Sequence, residues 1–133
     1  MFSPFDPSQL QILAENFYNY PEDYCPSECK LECIYRTVIN RSYYASFLYA
    51  RNWLEKQFHF MTVHPSYDKQ HRGAHKQVID ELKKKSKNKA SNNLLELKRI
   101  RKNADYDIGV NDYINQSDAK NSIYLAKKVF ENI

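Results

Sequence analysis

Apolar residues recur along this chain at intervals of three and four, not two, so the pattern predicts helices and no strand pair. The first helix opens at Asp6 as its cap, with Pro7 in the first turn, Gln9 closing a capping box and Phe5 facing Leu10 as a hydrophobic staple. Leu10, Leu13 and Phe17 mark its expected buried face. Residues 18–26 hold two prolines and read as a loop. A long second helix runs from a Ser27 cap towards the bound set by Pro65. Leu31, Ile34, Val38, Phe47, Leu48, Trp53, Leu54 and Phe58 recur along it at helical spacing. Its apolar coverage is wide over residues 43–53, which marks it as the central helix. Residues 60–69 read as a connection. A third helix spans about 74–85, with Val78, Ile79 and Leu82 inward. A fourth spans about 91–105 on Leu94, Leu95, Leu97 and Ile100, with Gly109 as a stop just beyond it. A fifth starts at a Ser117 cap and carries Ala119, Ile123, Ala126, Val129 or Phe130, and Ile133. The expected architecture is all-α, an up-and-down bundle of about five helices.

The length, 133 residues, suits a single domain over 1–133. Only Gly73 and Gly109 are glycine, which leaves little room for hairpin turns or glycine-rich phosphate loops. No apolar run approaches the roughly 20 residues of a membrane span. The first residues lack the basic and apolar regions of a signal peptide. With no export signal, the three cysteines read as reduced thiols, and a cytoplasmic location is expected. The net charge of +4 is mild but unevenly placed. Before Glu32, acids outnumber the one base, Lys30. Residues 83–102 hold Lys83, Lys84, Lys85, Lys87, Lys89, Lys98, Arg99, Arg101 and Lys102 against Glu96 alone. This run fits an anionic partner such as RNA or a nucleotide, and equally a solvated loop after a helix.

The candidate chemistry lies at the end of the fourth helix, in Arg101, Asp105 and Tyr106. Arginine suits a phosphate because its planar fork stays charged and binds two oxygens at once. A phenol is a poor base near neutral pH, so Tyr106 is better suited to donating a proton or placing a phosphate. Arg99, Lys102 and Tyr106 share one helical face. Arg101 and Asp105 share another at the spacing of a simple ion pair. On the long helix, Arg41, Tyr43 and Tyr44 form a second candidate group. There Arg41 is expected to need a phosphate or an acid such as Asp105 or Asp107, and the tyrosines read equally as core. Cys29 with Cys33, and His71 with His75, repeat a four-residue spacing that can hold zinc. Free buried cysteine is the plainer reading, so no metal and no cofactor are expected.

Three elements, in order along the chain, resemble the HEPN domains (higher eukaryotes and prokaryotes nucleotide-binding). Arg41-Ser42-Tyr43-Tyr44-Ala45-Ser46-Phe47 resembles their R-x-Y-Y-A-x-F element. Gly73-Ala74-His75-Lys76 is similar to a short histidine-containing segment. Arg101-Lys102-Asn103-Ala104-Asp105-Tyr106-Asp107 resembles an R-x-x-A-D-Y-D variant. The likeness covers about residues 28–133. It implies a helical bundle that dimerises. In many members it implies metal-independent RNA cleavage in toxin–antitoxin or phage-defence systems. Other members pair with a small nucleotidyltransferase or serve as non-catalytic binding modules. Catalytic members carry R-x(4–6)-H. Here Arg101 matches the arginine, and the histidine's place after four intervening residues holds Tyr106.

Overall fold

A computed structural model describes residues 5–26, 28, 30–106 and 113–133. Six α-helices form one bundle: α1 (Ser8–Asn19), α2 (Pro21–Tyr24), α3 (Leu31–Phe58), α4 (Ala74–Lys84), α5 (Asn88–Tyr106) and α6 (Gln116–Glu131). No strand occurs among the described residues. The central helix is α3, which packs against α1, α4, α5 and α6. It is buried through Ile34, Val38, Ile39, Tyr43, Phe47, Ala50 and Leu54. Ala45, Ala50, Ala90, Ala104, Ala119 and Ala126 are buried where the helices meet. Side chains that small let neighbouring backbones approach closely.

The core has two halves. One joins Phe47, Leu54, Val78, Leu82, Leu94, Leu97 and Val129. The other joins Ala14, Val38, Ile39, Ile100, Ala104, Ile114 and Ile123. Two polar devices set the ends of α5 and α4 and so position the site below. Arg36 donates to the carbonyls of Asn103 (3.3 Å) and Ala104 (2.7 Å), which the last turn of α5 leaves without helical partners. Glu32 holds Arg36 at 2.8 Å and accepts from the Ile114 backbone, so one carboxylate ties α3 to the approach to α6. Next to α4, the buried Gln77 amide bonds both the N–H and the carbonyl of Val63 and the carbonyl of Arg72. Arg72 pairs with Asp68 and Asp80, each at 2.9 Å. Residues 60–73 are thereby strapped onto α4. They include a single 3₁₀ turn at Pro65–Tyr67.

Several local expectations are corrected. Residues 18–26 contain the short helix α2, started by Pro21 in its first turn. The buried positions of α1 are Gln11 and Ala14, with Leu10 and Leu13 only half-buried, because α1 sits against both α3 and α6. The N-cap of α1 is Pro7, with no side-chain cap bond, not Asp6, whose carboxylate accepts from the Ser8 N–H at 3.0 Å. Leu31, Phe58 and Leu95 are exposed, not core. The cap of α6 is Asn115, not Ser117. Its side chain accepts from the Asp118 N–H, and the Asp118 carboxylate accepts from the Asn115 N–H in return. The Ser27 cap, Cys29, Asp107 and the Gly109 stop lie outside the described residues.

Candidate functional site

Arg101 projects from α5 onto the aromatic face of α3. Only 12% of its side chain is exposed. Its guanidinium carbon lies 5.0 Å from the Tyr43 ring centre, 5.6 Å from Tyr44 and 5.9 Å from Tyr106. Three rings around one cation hold it by attraction to their electron-rich faces. Its Nη1 donates to Asp105 at 3.3 Å, and Asp105 also accepts from Asn40 at 3.1 Å. The Nε is sealed from solvent with no acceptor. Burial works against the charge of Arg101, but Tyr44, the Asp105 bond and Tyr43 outweigh it, so its pKa rises. The arginine is fixed as a cation, and its fork is only partly used by the protein.

His75, in the first turn of α4, also stands against the Tyr43 ring. Its ring stacks on Phe47 at 4.2 Å and on Tyr43 at 5.5 Å. Its Nδ1 meets the Tyr43 hydroxyl in a very short hydrogen bond. Burial lowers the His75 pKa to about 4, helped by Arg101, Lys98 and Arg51, all near enough to oppose a further positive charge. The imidazole is therefore neutral at pH 7. Burial also pushes the Tyr43 phenol well above its ordinary value, with Arg101 working the other way. Lys98 is partly buried, and desolvation, then Lys76, Arg101 and Lys102, lower its pKa. Arg51 lies over Phe47 at 5.7 Å. Three helices thus bring Arg51, His75, Lys98 and Arg101 around a floor of Tyr43, Tyr44 and Phe47. Desolvated donors beside aromatic faces suit an anion with a ring attached, which is the chemistry of a nucleotide.

The sequence-derived candidates divide. Arg101, Asp105, Tyr106 and Tyr44 meet. Tyr106 is 67% exposed and is the most distant of the three rings from Arg101. Lys102 is exposed, and Arg99 is exposed and paired with Glu96. Arg41 is also exposed, with no ion pair among the described residues. It lies outside the apolar face of α3, so it needs no buried partner, and Asp105 is taken by Arg101 and Asn40 instead. His71 precedes α4 and bonds the Pro65 carbonyl, so it shares no helical face with His75. No group of three metal-ligating side chains occurs among the described residues. Most of the lysine run serves structure. Lys84 and Lys85 flank Glu81, Lys85 covers Phe58, and Lys87 covers Trp53 and reaches the Ile133 carbonyl.

Sequence reasoning missed His75, Lys98 and Arg51 as one group. The signal was Tyr43 and Phe47 one turn apart on α3, facing Lys98 and Arg101 three apart on α5, with a histidine at the open end of α4. A separate open groove of about 430 Å³, lined by Lys89, Asn92, Asn93, Tyr124, Lys128, Glu131 and Asn132, contains none of these residues. No described helix is long and apolar enough to cross a membrane. Comparison of the chain with protein-family models, curated proteins and solved structures finds no match.

Proposed function

We propose that this chain is a HEPN-like module that binds the phosphate of RNA or a nucleotide between α3, α4 and α5. The carrying observation is Arg101, a cation largely buried on three tyrosine rings, with Asp105 engaging its Nη1. Binding is favoured over cleavage because the site supplies donors and no good base. His75 is a weak base with its Nδ1 already bonded, and Tyr106 is a phenol. Cleavage of RNA needs a group that takes the 2′-hydroxyl proton as well as a cation for the charge on phosphorus. A binding role in a toxin–antitoxin or phage-defence pair, beside an antitoxin or a nucleotidyltransferase, fits this inventory.

Metal-independent RNA cleavage is the second reading, and one observation favours it. Arg101 and His75 both contact the Tyr43 ring, so two helices assemble an arginine–histidine pair that α5 alone lacks. Pairing of two copies belongs to both readings. Leu95 and Tyr106 are exposed on the stripe of α5 that also carries Arg99 and Lys102, a surface suited to a second copy.

One experiment separates the readings. Labelled RNA is incubated with the protein, with and without EDTA, and its binding and integrity are followed together. Retention without cleavage, abolished by Arg101→Ala, is expected. Cleavage that survives EDTA and is lost in Arg101→Ala would replace the binding reading with the nuclease reading. Tyr106→His then sharpens the result, because it puts an ordinary imidazole beside the guanidinium of Arg101. Light scattering is expected to show a dimer.

A further inference from the structure

We propose that Tyr43 is a positioning residue that locks His75 as the neutral tautomer with its proton on Nε2, so that this nitrogen presents a hydrogen-bond donor to the phosphate. The assignment follows from donor and acceptor bookkeeping. Tyr43 is fully buried, so its hydroxyl hydrogen needs an acceptor. Arg101 offers only donors, so its hydrogen bond with the phenol oxygen takes up a lone pair and leaves the hydroxyl hydrogen to another partner. The partner available for the hydrogen is Nδ1 of His75, and the two are in hydrogen-bond contact. A neutral imidazole that accepts at Nδ1 carries its hydrogen on Nε2. Nε2 has no protein partner among the described residues and is not among the sealed polar atoms, so it faces solvent.

Stacking fixes the ring as well as the proton. Phe47 and Tyr43 lie nearly parallel to the imidazole, at 12° and 8°, and Tyr44 meets it edge-on at 77°. The ring cannot flip without losing the Tyr43 bond. The chain of donors therefore runs from the Arg101 cation through the Tyr43 hydroxyl to His75 and out to the ligand. It offers hydrogens at both ends and a free lone pair at neither. A ligand made only of acceptors, such as a phosphate, matches it. The donor role rests on the phosphate reading, whereas the tautomer does not.

The test has two arms. The first records long-range proton–nitrogen NMR correlations of the histidine rings at neutral pH, with His75→Gln identifying the His75 signals. A protonated Nε2 and a bare Nδ1 are expected. A bare Nε2, or a doubly protonated ring, overturns the proposal. In Tyr43→Phe, which keeps the ring stack, His75 is expected to populate both tautomers. An unchanged tautomer would also overturn it. The second arm measures binding of a short fluorescent single-stranded RNA in a double-mutant cycle. Tyr43→Phe is expected to weaken binding about threefold to tenfold in the wild-type background and to have no further effect beside His75→Gln. An equal loss in both backgrounds would show that Tyr43 acts by another route. If Tyr43→Phe does not fold, the tautomer in the wild-type chain decides. If the wild type binds no RNA, the phosphate reading fails while the tautomer assignment still stands or falls on the first arm.

Discussion

Two groups of basic side chains sit close together in this chain and do different work. Residues 83–89 hold five lysines in sequence, the most conspicuous charge run of the molecule. The fold uses them to turn from α4 into α5. Ser86 takes a left-handed conformation, the Lys87 N–H bonds back to the Leu82 carbonyl, and Lys85 and Lys87 lie over Phe58 and Trp53. Lysines at the end of α4 also suit the negative pole of that helix. The second group, Arg51, His75, Lys98 and Arg101, is scattered over three helices and converges on one aromatic floor. A dense run of charge along a chain is solvated and satisfied locally. Charges gathered by packing from distant positions are desolvated together, and that is where they acquire chemistry.

The comparison breaks if Arg101 proves dispensable. Arg101→Ala is expected to lower RNA affinity about 10- to 100-fold, as loss of a charge-assisted contact does. Circular dichroism should show the helices intact, since α5 keeps Leu94, Leu97 and Ile100 in the core. Anisotropy with a labelled oligonucleotide checks the affinity.

A second test concerns pH. The folded pKa of His75 lies near 4, below its ordinary 6.5. Below 6.5 the unfolded chain therefore binds a proton that the folded chain refuses. This contribution to stability is fully present above about 6.5 and is lost as pH falls towards 4. Because the ring is only half-buried, solvent screening reduces it to the order of 1–2 kcal/mol. Urea melts across that window should show the wild type losing more stability on acidification than His75→Gln. Parallel curves would place His75 in ordinary solvent.

The lysine run should give the opposite response. Lys85→Ala and Lys87→Ala each remove a cation from an aromatic face and are expected to cost about 0.5–1 kcal/mol in thermal melts. Their RNA affinity should stay within a factor of about two, because neither side chain is in the converging group. A large loss of binding would merge the two groups and return the anionic partner to the turn.

The smallest effect is expected at Gly73. It caps α4 with an ordinary negative φ, and a Cβ there meets nothing within 4 Å. Gly73→Ser should add only a few tenths of a kcal/mol through a better cap. Weaker RNA binding in a more stable variant would show that open space before His75 matters to the ligand.

Much of the fold was legible because helical periodicity is a local signal. Val78, Ile79 and Leu82 on α4, and Ala119, Ile123 and Ala126 on α6, are buried as their spacing predicts. Leu95 was misplaced because an apolar residue on an exposed stripe looks the same in sequence as one in the core. The short α2 escaped notice because four residues carry no period. The site was half legible. Arg101 and Asp105 lie one turn apart on one helix, so their pairing follows from helical geometry. His75 joins them only because α4 packs on α5 and α3, and no local pattern encodes that. Arg41 was overvalued because a wide apolar helix still keeps one exposed edge, and Arg41 lies on it.

The most direct test of the central claim is to follow the nitrogen-labelled protein by NMR as a short single-stranded RNA is added at low salt. The largest shifts are expected at the Arg101 guanidinium, the His75 ring nitrogens and the Lys98 amide, with residues 83–89 little changed. Shifts centred on residues 83–89, or none at Arg101 and His75 under conditions where RNA binds, would contradict it.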